Sequence, residues 1–234
     1  MAPDREEASM KAAAALVKDI REELRRIDDE LRAHPYPDAI ARGEVTLEGL
    51  KAFPGHQHHV ALSDLRSMAM MLQRFAGTPW RDFWSGVLQG ELAAPGGIAV
   101  IGQKLGMTSD DLDRYEVTPE GFAYATQMAW AAANASAAEI ACALLINFPA
   151  WGFNCGRMAR ALRDRYGFGP EHTAFLDAFA ALPSFEDTAI AIVQDGLDRG
   201  VEPRAIRSTT KLFQAYEKMF WDAMMALGTR RTSA

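Results

Sequence analysis

Cysteine is nearly absent from this chain. Only Cys142 and Cys155 occur in 234 residues, and neither stands in the paired spacing of a zinc or redox motif. A disulfide-stapled scaffold is excluded, and a reduced, cytoplasmic protein is the expectation. An excess of base is missing too. Lys and Arg number 25 against 31 Asp and Glu, for a net charge of -6. That balance argues against a nucleic-acid partner, which needs a basic face to neutralise phosphates. The apolar runs are all far shorter than a membrane span, so no membrane partner is expected. The start, MAPDREEASMKAAAALVKDIREE, carries acids where a signal peptide carries bases. Alternating Val/Ile/Thr runs, the mark of a half-buried strand, are lacking as well. So are internal repeats and long linkers.

What is there is helix signal on an ordinary globular composition, 49% apolar and 24% charged. A charged amphipathic segment runs from Asp4 to about Arg32 and ends at His34-Pro35. A short helix over 36–42 stops at Gly43, and Thr46 opens another that Pro54-Gly55 interrupts. A helix over 56–76 follows. Thr78-Pro79, Thr118-Pro119 and Glu202-Pro203 are start signals with proline in the first turn. Ala94-Pro95-Gly96-Gly97 reads as a break. Ser136-Ala137-Ala138-Glu139 is a capping box for a long helix that contains Pro149 and closes at Gly167. Ser184 with Asp187 opens the next, which ends at Gly200, and the last runs to about Leu227. The expectation is one all-α domain over 1–234, loose at about 1–4 and 229–234.

Polar residues on apolar stripes are informative, because a buried polar group without a partner is costly. The last helix has the stripe Phe213, Tyr216, Phe220, Met224 and Leu227, and Glu217 lies on or beside it. On the helix after Ser136, Asn147 falls between the inward-facing Leu144 and Trp151. On the helix after Pro54-Gly55 the stripe is Ala61, Leu65, Met68 and Leu72, which Gln57 and His58 extend toward its start. His56 and His59 point together toward a neighbouring face. An i, i+3 histidine pair supplies two metal ligands, where a site normally takes three or four. The bland alternatives are a salt-bridged carboxylate, an amide joining two helices, and a helix start that happens to carry imidazoles.

These pieces occur in a recognisable order. HPYPDAIARGEVTLEGLKAF, LGMTSDDL with TPEGFAYATQMAW, NASAAEIACALLINFPAW and AYEKMFWDAMMALG resemble successive elements of the TenA (thiaminase II) and PqqC family. The similarity is scattered from about His34 to Ala226. It implies the haem-oxygenase-like helical bundle with a central pocket, and a homodimer or homotetramer. The family's thiaminase nucleophile is a cysteine. Its position falls on Asn147 when aligned through Glu139, or on Ala150 when aligned through Pro149. The family's pocket aspartate falls on Gln57, with one residue of doubt toward His56. Two of its tyrosines become Val60 and Phe179, while the pocket tyrosine matches Tyr124 and the last-helix glutamate matches Glu217. Covalent thiaminase chemistry needs an activated thiolate, so it is not expected here.

The resemblance and the residues together imply a small-molecule pocket protein. It would be an enzyme of cofactor or natural-product metabolism acting on a flat, heteroaromatic type of substrate. Trp151, Tyr124, Phe179 and Phe213 would stack on the ligand, Gln57, His58 and Asn147 would bind it, and Glu217 with Tyr124 would do the chemistry. No cofactor is expected on this reading. One alternative is an iron- or manganese-dependent oxidase using His56 and His59 with Glu217. Glu91 is in the region such oxidases use, but no histidine stands seven residues on. Haem is disfavoured, since Asp28 falls where the axial histidine would be. A further alternative is a binder that has lost its activity.

Overall fold

The computed structural model describes the backbone of residues 3–229 and the side chains of residues 12–229. Residues 1–2 and 230–234, where loose ends were expected, lie outside the described residues. Among the described residues there is no strand, and no helix is long and apolar enough to cross a membrane. The helices are α1 (Pro3–Arg32), α2 (Pro35–Ala41), α3 (Leu47–Leu50), α4 (Ala52–Phe75), α5 (Arg81–Lys104), α6 (Ser109–Asp113), α7 (Pro119–Asn134), α8 (Ala137–Tyr166), α9 (Pro170–Ala180), α10 (Glu186–Asp198) and α11 (Pro203–Gly228).

Most expected start signals hold, but Thr78-Pro79 does not open α5, which begins at Arg81 after an uncapped Trp80, and α10 begins at Glu186 after an uncapped Phe185. Ser136 Oγ accepts from the Glu139 N–H at 3.3 Å while the Glu139 carboxylate accepts from the Ser136 N–H at 2.8 Å, a closed capping box for α8. Thr118 Oγ1 accepts from Gly121 N at the head of α7. Gly167, at φ 67°, ends α8 in the left-handed region.

Two expected breaks do not occur. Pro54 is the third residue of α4, one of the first four helical N–H positions that lack an intrahelical acceptor, so its missing N–H costs the ladder nothing. Pro95 does sit inside α5, yet the helix runs through it to Lys104. Gly97 explains part of this. A Cβ there would stand 2.8 Å from the Cβ of Phe175, so the glycine lets α5 close on α9. Neither α6 nor α9 was anticipated. Both are short: α6 has a single apolar residue, and the large apolar residues of α9, Phe175, Leu176 and Phe179, span little more than one turn.

Helix α8 is the axis of the bundle. One side packs on α1 and α10, where Leu16, Val17, Ile20, Leu145, Ile192 and Val193 form a dry apolar cluster. Its other sides meet α2, α9 and α11. Helices α4, α5 and α7 complete the far wall, with Met68, Met71, Trp84, Met128 and Phe213 buried between them and α8. Burying these faces supplies most of the driving force, at about 25 cal/mol for each Å² of apolar surface.

The stripes shift slightly from expectation. On α4 the buried line is Gln57, Val60, Asp64, Met68, Met71 and Phe75, while Leu65 and Leu72 are half-buried. On α11 the deep positions are Phe213, Gln214, Glu217, Phe220, Trp221 and Met224, and Tyr216 is half-buried.

Candidate functional site

Helices α4, α5, α7, α8, α9 and α11 converge on an enclosed cavity of about 50 Å³. Its polar lining is Gln57, Asp64, Glu91, Tyr124, Asn147 and Glu217, and its aromatic lining includes Phe148, Trp151, Phe175, Phe179 and Phe220. Among the described residues, no Lys, Arg, His or Cys lines it.

A hydrogen-bonded chain crosses the cavity wall. The Tyr124 hydroxyl donates to Asn147 Oδ1 at 3.0 Å. Asn147 Nδ2 donates to Gln214 Oε1 at 2.9 Å and to Glu217 Oε2. Trp221 Nε1 donates to Glu217 Oε1 at 2.9 Å. Asn147 thus spends all its donors and fixes its own orientation. When ionised, each Glu217 oxygen accepts one hydrogen bond from the protein and keeps a lone pair for a ligand; when protonated, one of them becomes a donor.

Glu217 is 2% exposed. Burial pushes its carboxyl up to about 8, although the hydrogen bonds from Trp221 and Asn147 pull the other way. At neutral pH it holds a proton that it can give, and it can take one back. Burial also raises Asp64 well above the usual carboxylate range, and the charge of Glu91 adds to the rise. Glu91 is pushed up to about 7 by burial. The Tyr124 hydroxyl is raised by burial first, then by the three carboxyls around it.

Among the residues expected in the site, Gln57, Tyr124, Asn147, Trp151, Phe179 and Glu217 meet at this one cavity. Phe213 does not reach it. Its ring stands edge-on behind Tyr124, 5.5 Å between centroids, and holds that ring in place. His58 does not reach it either: Nε2 pairs with Asp113 Oδ1 at 2.8 Å near the surface. His59 packs against His58, 5.3 Å between ring centroids, and lies outside the cavity lining.

His56 has a structural task. Thr118 N donates to His56 Nε2 at 3.0 Å, so Nε2 carries the lone pair and Nδ1 carries the proton, which goes to Ala52 O at 2.8 Å. The ring clamps the start of α7 to the start of α4. Gly121 makes room for it, since a Cβ there would fall 2.2 Å from His56 Cδ2. The lone pair a metal would need is already engaged. The pairing of His56 with His59 as ligands is therefore unsupported, and no cluster of three or more His, Cys, Asp or Glu arranged to hold a metal occurs among the described residues.

Both cysteines are buried away from the cavity, and burial raises both thiols. Ala150 is packed in the core, whereas Asn147, the position reached by the alignment through Glu139, lines the cavity.

The wall residue missed from sequence is Asp64. It lies seven residues, two helical turns, after Gln57 on the same face of α4. That spacing was the available signal, and a stripe drawn through Leu65 hid it. Phe148, Phe175 and Phe220 were likewise not anticipated as lining.

Residues 21–227 match the TENA/THI-4/PQQC family. The chain belongs to that family. No curated protein matches it. Solved structures share the fold at low identity. A TenA homologue from Pseudomonas syringae pv. tomato superposes with a TM-score of 0.74 at 14% identity, over 91% of this chain and 93% of that one. A TenA homologue from Pyrococcus furiosus gives 0.68 at 16%, over 89% and 99%. A domain of unknown function from Shewanella denitrificans, described as having a heme oxygenase-like fold, gives 0.65 at 10%, over 92% and 90%. The positions carried over from the family resemblance, Gln57, Val60, Tyr124, Asn147, Phe179 and Glu217, all line the cavity.

Proposed function

We propose that this TENA/THI-4/PQQC family protein is an enzyme that binds a flat, N–H-bearing small molecule and exchanges a proton with it at Glu217. The observation that carries this is the Glu217 carboxyl, buried on the cavity wall and oriented by Asn147 and Trp221. An acid whose affinity for protons is tuned near the working pH is suited to general acid–base catalysis. The rings of Trp151, Phe179 and Tyr124 offer faces and edges to a planar ligand. Gln57, with both an acceptor and donors, orients its edge. The wall has carboxyls and, among the described residues, no base, which favours a neutral or cationic ligand over an anion.

No thiol reaches the cavity, so the covalent step of a thiaminase has no nucleophile here. The reading extends to a cytoplasmic homodimer or homotetramer in which the small molecule is the partner that matters.

Thermal-shift and ligand-detected NMR screening with planar amino-heterocycles such as aminopyridines, aminopurines and pterins tests the proposal. At least one class should stabilise the wild type, and Glu217→Gln should weaken it roughly tenfold, the equivalent of about one hydrogen bond. Failure of all classes, or binders indifferent to both Glu217→Gln and Asn147→Ala, would overturn it.

A further inference from the structure

Proton exchange at Glu217 leaves one part of the cavity wall without a role. Asp64 is 7% exposed, and its Oδ1 has no hydrogen-bond partner. Glu91, one helix away on α5, lines the same cavity, and its charge is felt by Asp64. Glu91 makes no hydrogen bond or ion pair among the described residues. A buried and a half-buried carboxyl on one wall, with no base opposite among the described residues, are costly when ionised, and either a proton or an arriving cation relieves that cost. Among the described residues, no third ligand stands with them to make a metal site.

Glu91 also faces outward. A second cavity, about 350 Å³, lies between α5, α8 and the end of α9. It shares Glu91, Phe148 and Phe179 with the inner one. The remaining wall is chiefly apolar, with Phe83, Val87, Leu144 and Phe185, and with Leu182, 44% exposed, also on its wall. Gly86 and Gly90 stand one turn apart on α5, and a Cβ at either would meet nothing within 4 Å. The Phe148 and Phe179 rings, 6.2 Å apart and edge-to-face, line both spaces together with Glu91. The inner cavity alone is below the roughly 300–1,000 Å³ of usual ligand sites, and the joined space reaches that range.

We propose that the two cavities form one site for an amphiphilic amine: its protonated nitrogen sits against Asp64 and Glu91, its compact head points inward to Glu217, and its apolar arm runs past Phe148 and Phe179 into the outer cavity. This rests on the inner cavity being a ligand chamber. An anion is disfavoured by the carboxyls. A partner protein's flat face would not fill a concave space that continues inward.

The test is calorimetric titration with n-octylamine, n-octanol, octanoate, n-butylamine and the planar probe 2-aminopyridine. On the wild type, octylamine should bind at least roughly tenfold tighter than octanol and than butylamine, with octanoate weakest. Asp64→Asn with Glu91→Gln should erase the octylamine–octanol difference and keep octanol binding. Gly90→Leu, which fills open space on a helix, should erase the octylamine–butylamine difference and keep butylamine binding. Octanol or octanoate binding as tightly as octylamine would overturn the amine seat, and butylamine equal to octylamine would overturn the arm. If no aliphatic probe binds while 2-aminopyridine binds and loses affinity in Glu217→Gln, this inference falls and the inner-chamber reading stands. If 2-aminopyridine and the aminopurine and pterin probes also fail to bind, both fall.

Discussion

The two sides of α8 are built for opposite purposes. Toward α1 and α10 it presents Ala138, Ala141, Cys142 and Leu145 to a cluster with no charged member. Toward α4 and α11 it presents Asn147 and Trp151 to a cavity ringed by Asp64, Glu91 and Glu217. One face is closed by packing and needs no partner. The other keeps free space and titratable groups in the same place, at a cost that folding alone does not explain. Stability should therefore reside on the first side and function on the second, and mutations should separate them with opposite signs.

The largest effect is expected on the dry side. Ile192 is fully buried in the α1–α8–α10 cluster. Ile192→Ala removes its methyls and leaves a void, which costs about 2–5 kcal/mol. Chemical denaturation should read that loss, while binding at the cavity stays as in the wild type. A change in ligand affinity as large as the change in stability would break the division between the two faces.

The wet side should respond to pH. Glu217 and Glu91 are raised to about 8 and about 7 when folded, and Asp64 is raised as well. Below an unfolded value of about 4.3 both states carry the proton and the full stability is present. Between there and the folded values only the unfolded chain ionises freely, so the unfolded state gains. Stability should thus fall from about pH 4.5 to about pH 8, on the order of 1–3 kcal/mol once water entering the cavity eases the charge. Asp64→Asn removes one of the repelling carboxyls. It should flatten that slope and raise the melting temperature at pH 8, a gain in stability at a position where the cavity reading predicts lost binding. A melting temperature that rises with pH over this window, or an unchanged slope in Asp64→Asn, would count against buried, raised carboxyls.

The same contrast explains what could be read from the sequence. The all-helical fold and most helix starts were legible because caps are local chemistry: Ser136 with Glu139, and Thr118 with Gly121, need only their own turn. Glu217, Asn147 and Gln57 were legible because a polar residue on an apolar stripe breaks a period. The false breaks at Pro54 and at Ala94–Gly97 came from punctuation that tertiary contacts override, as with Gly97 against Phe175. Asp64 was hidden because the stripe on α4 was drawn one residue off, and the partnership with Glu91 joins two helices. The histidines misled for a similar reason. What His56 does depends on Thr118, 62 residues away.

The smallest expected effects sharpen the comparison at those histidines. His56→Ala removes the acceptor for the Thr118 N–H and unties α7 from α4. Losing a partly buried hydrogen bond and leaving space where the buried imidazole stood costs about 1–2 kcal/mol, so the melting temperature should drop by a few degrees. Ligand affinity should change little, because no atom of His56 lines the cavity. His58→Ala loses a pairing with Asp113, whose side chain is 65% exposed. Such surface pairs contribute about 0–1 kcal/mol, so neither stability nor binding should move measurably. If His58→Ala instead abolished binding, the site would have to extend to the surface end of α4. If His56→Ala and His58→Ala together released a bound metal, the clamp would not be what His56 is for.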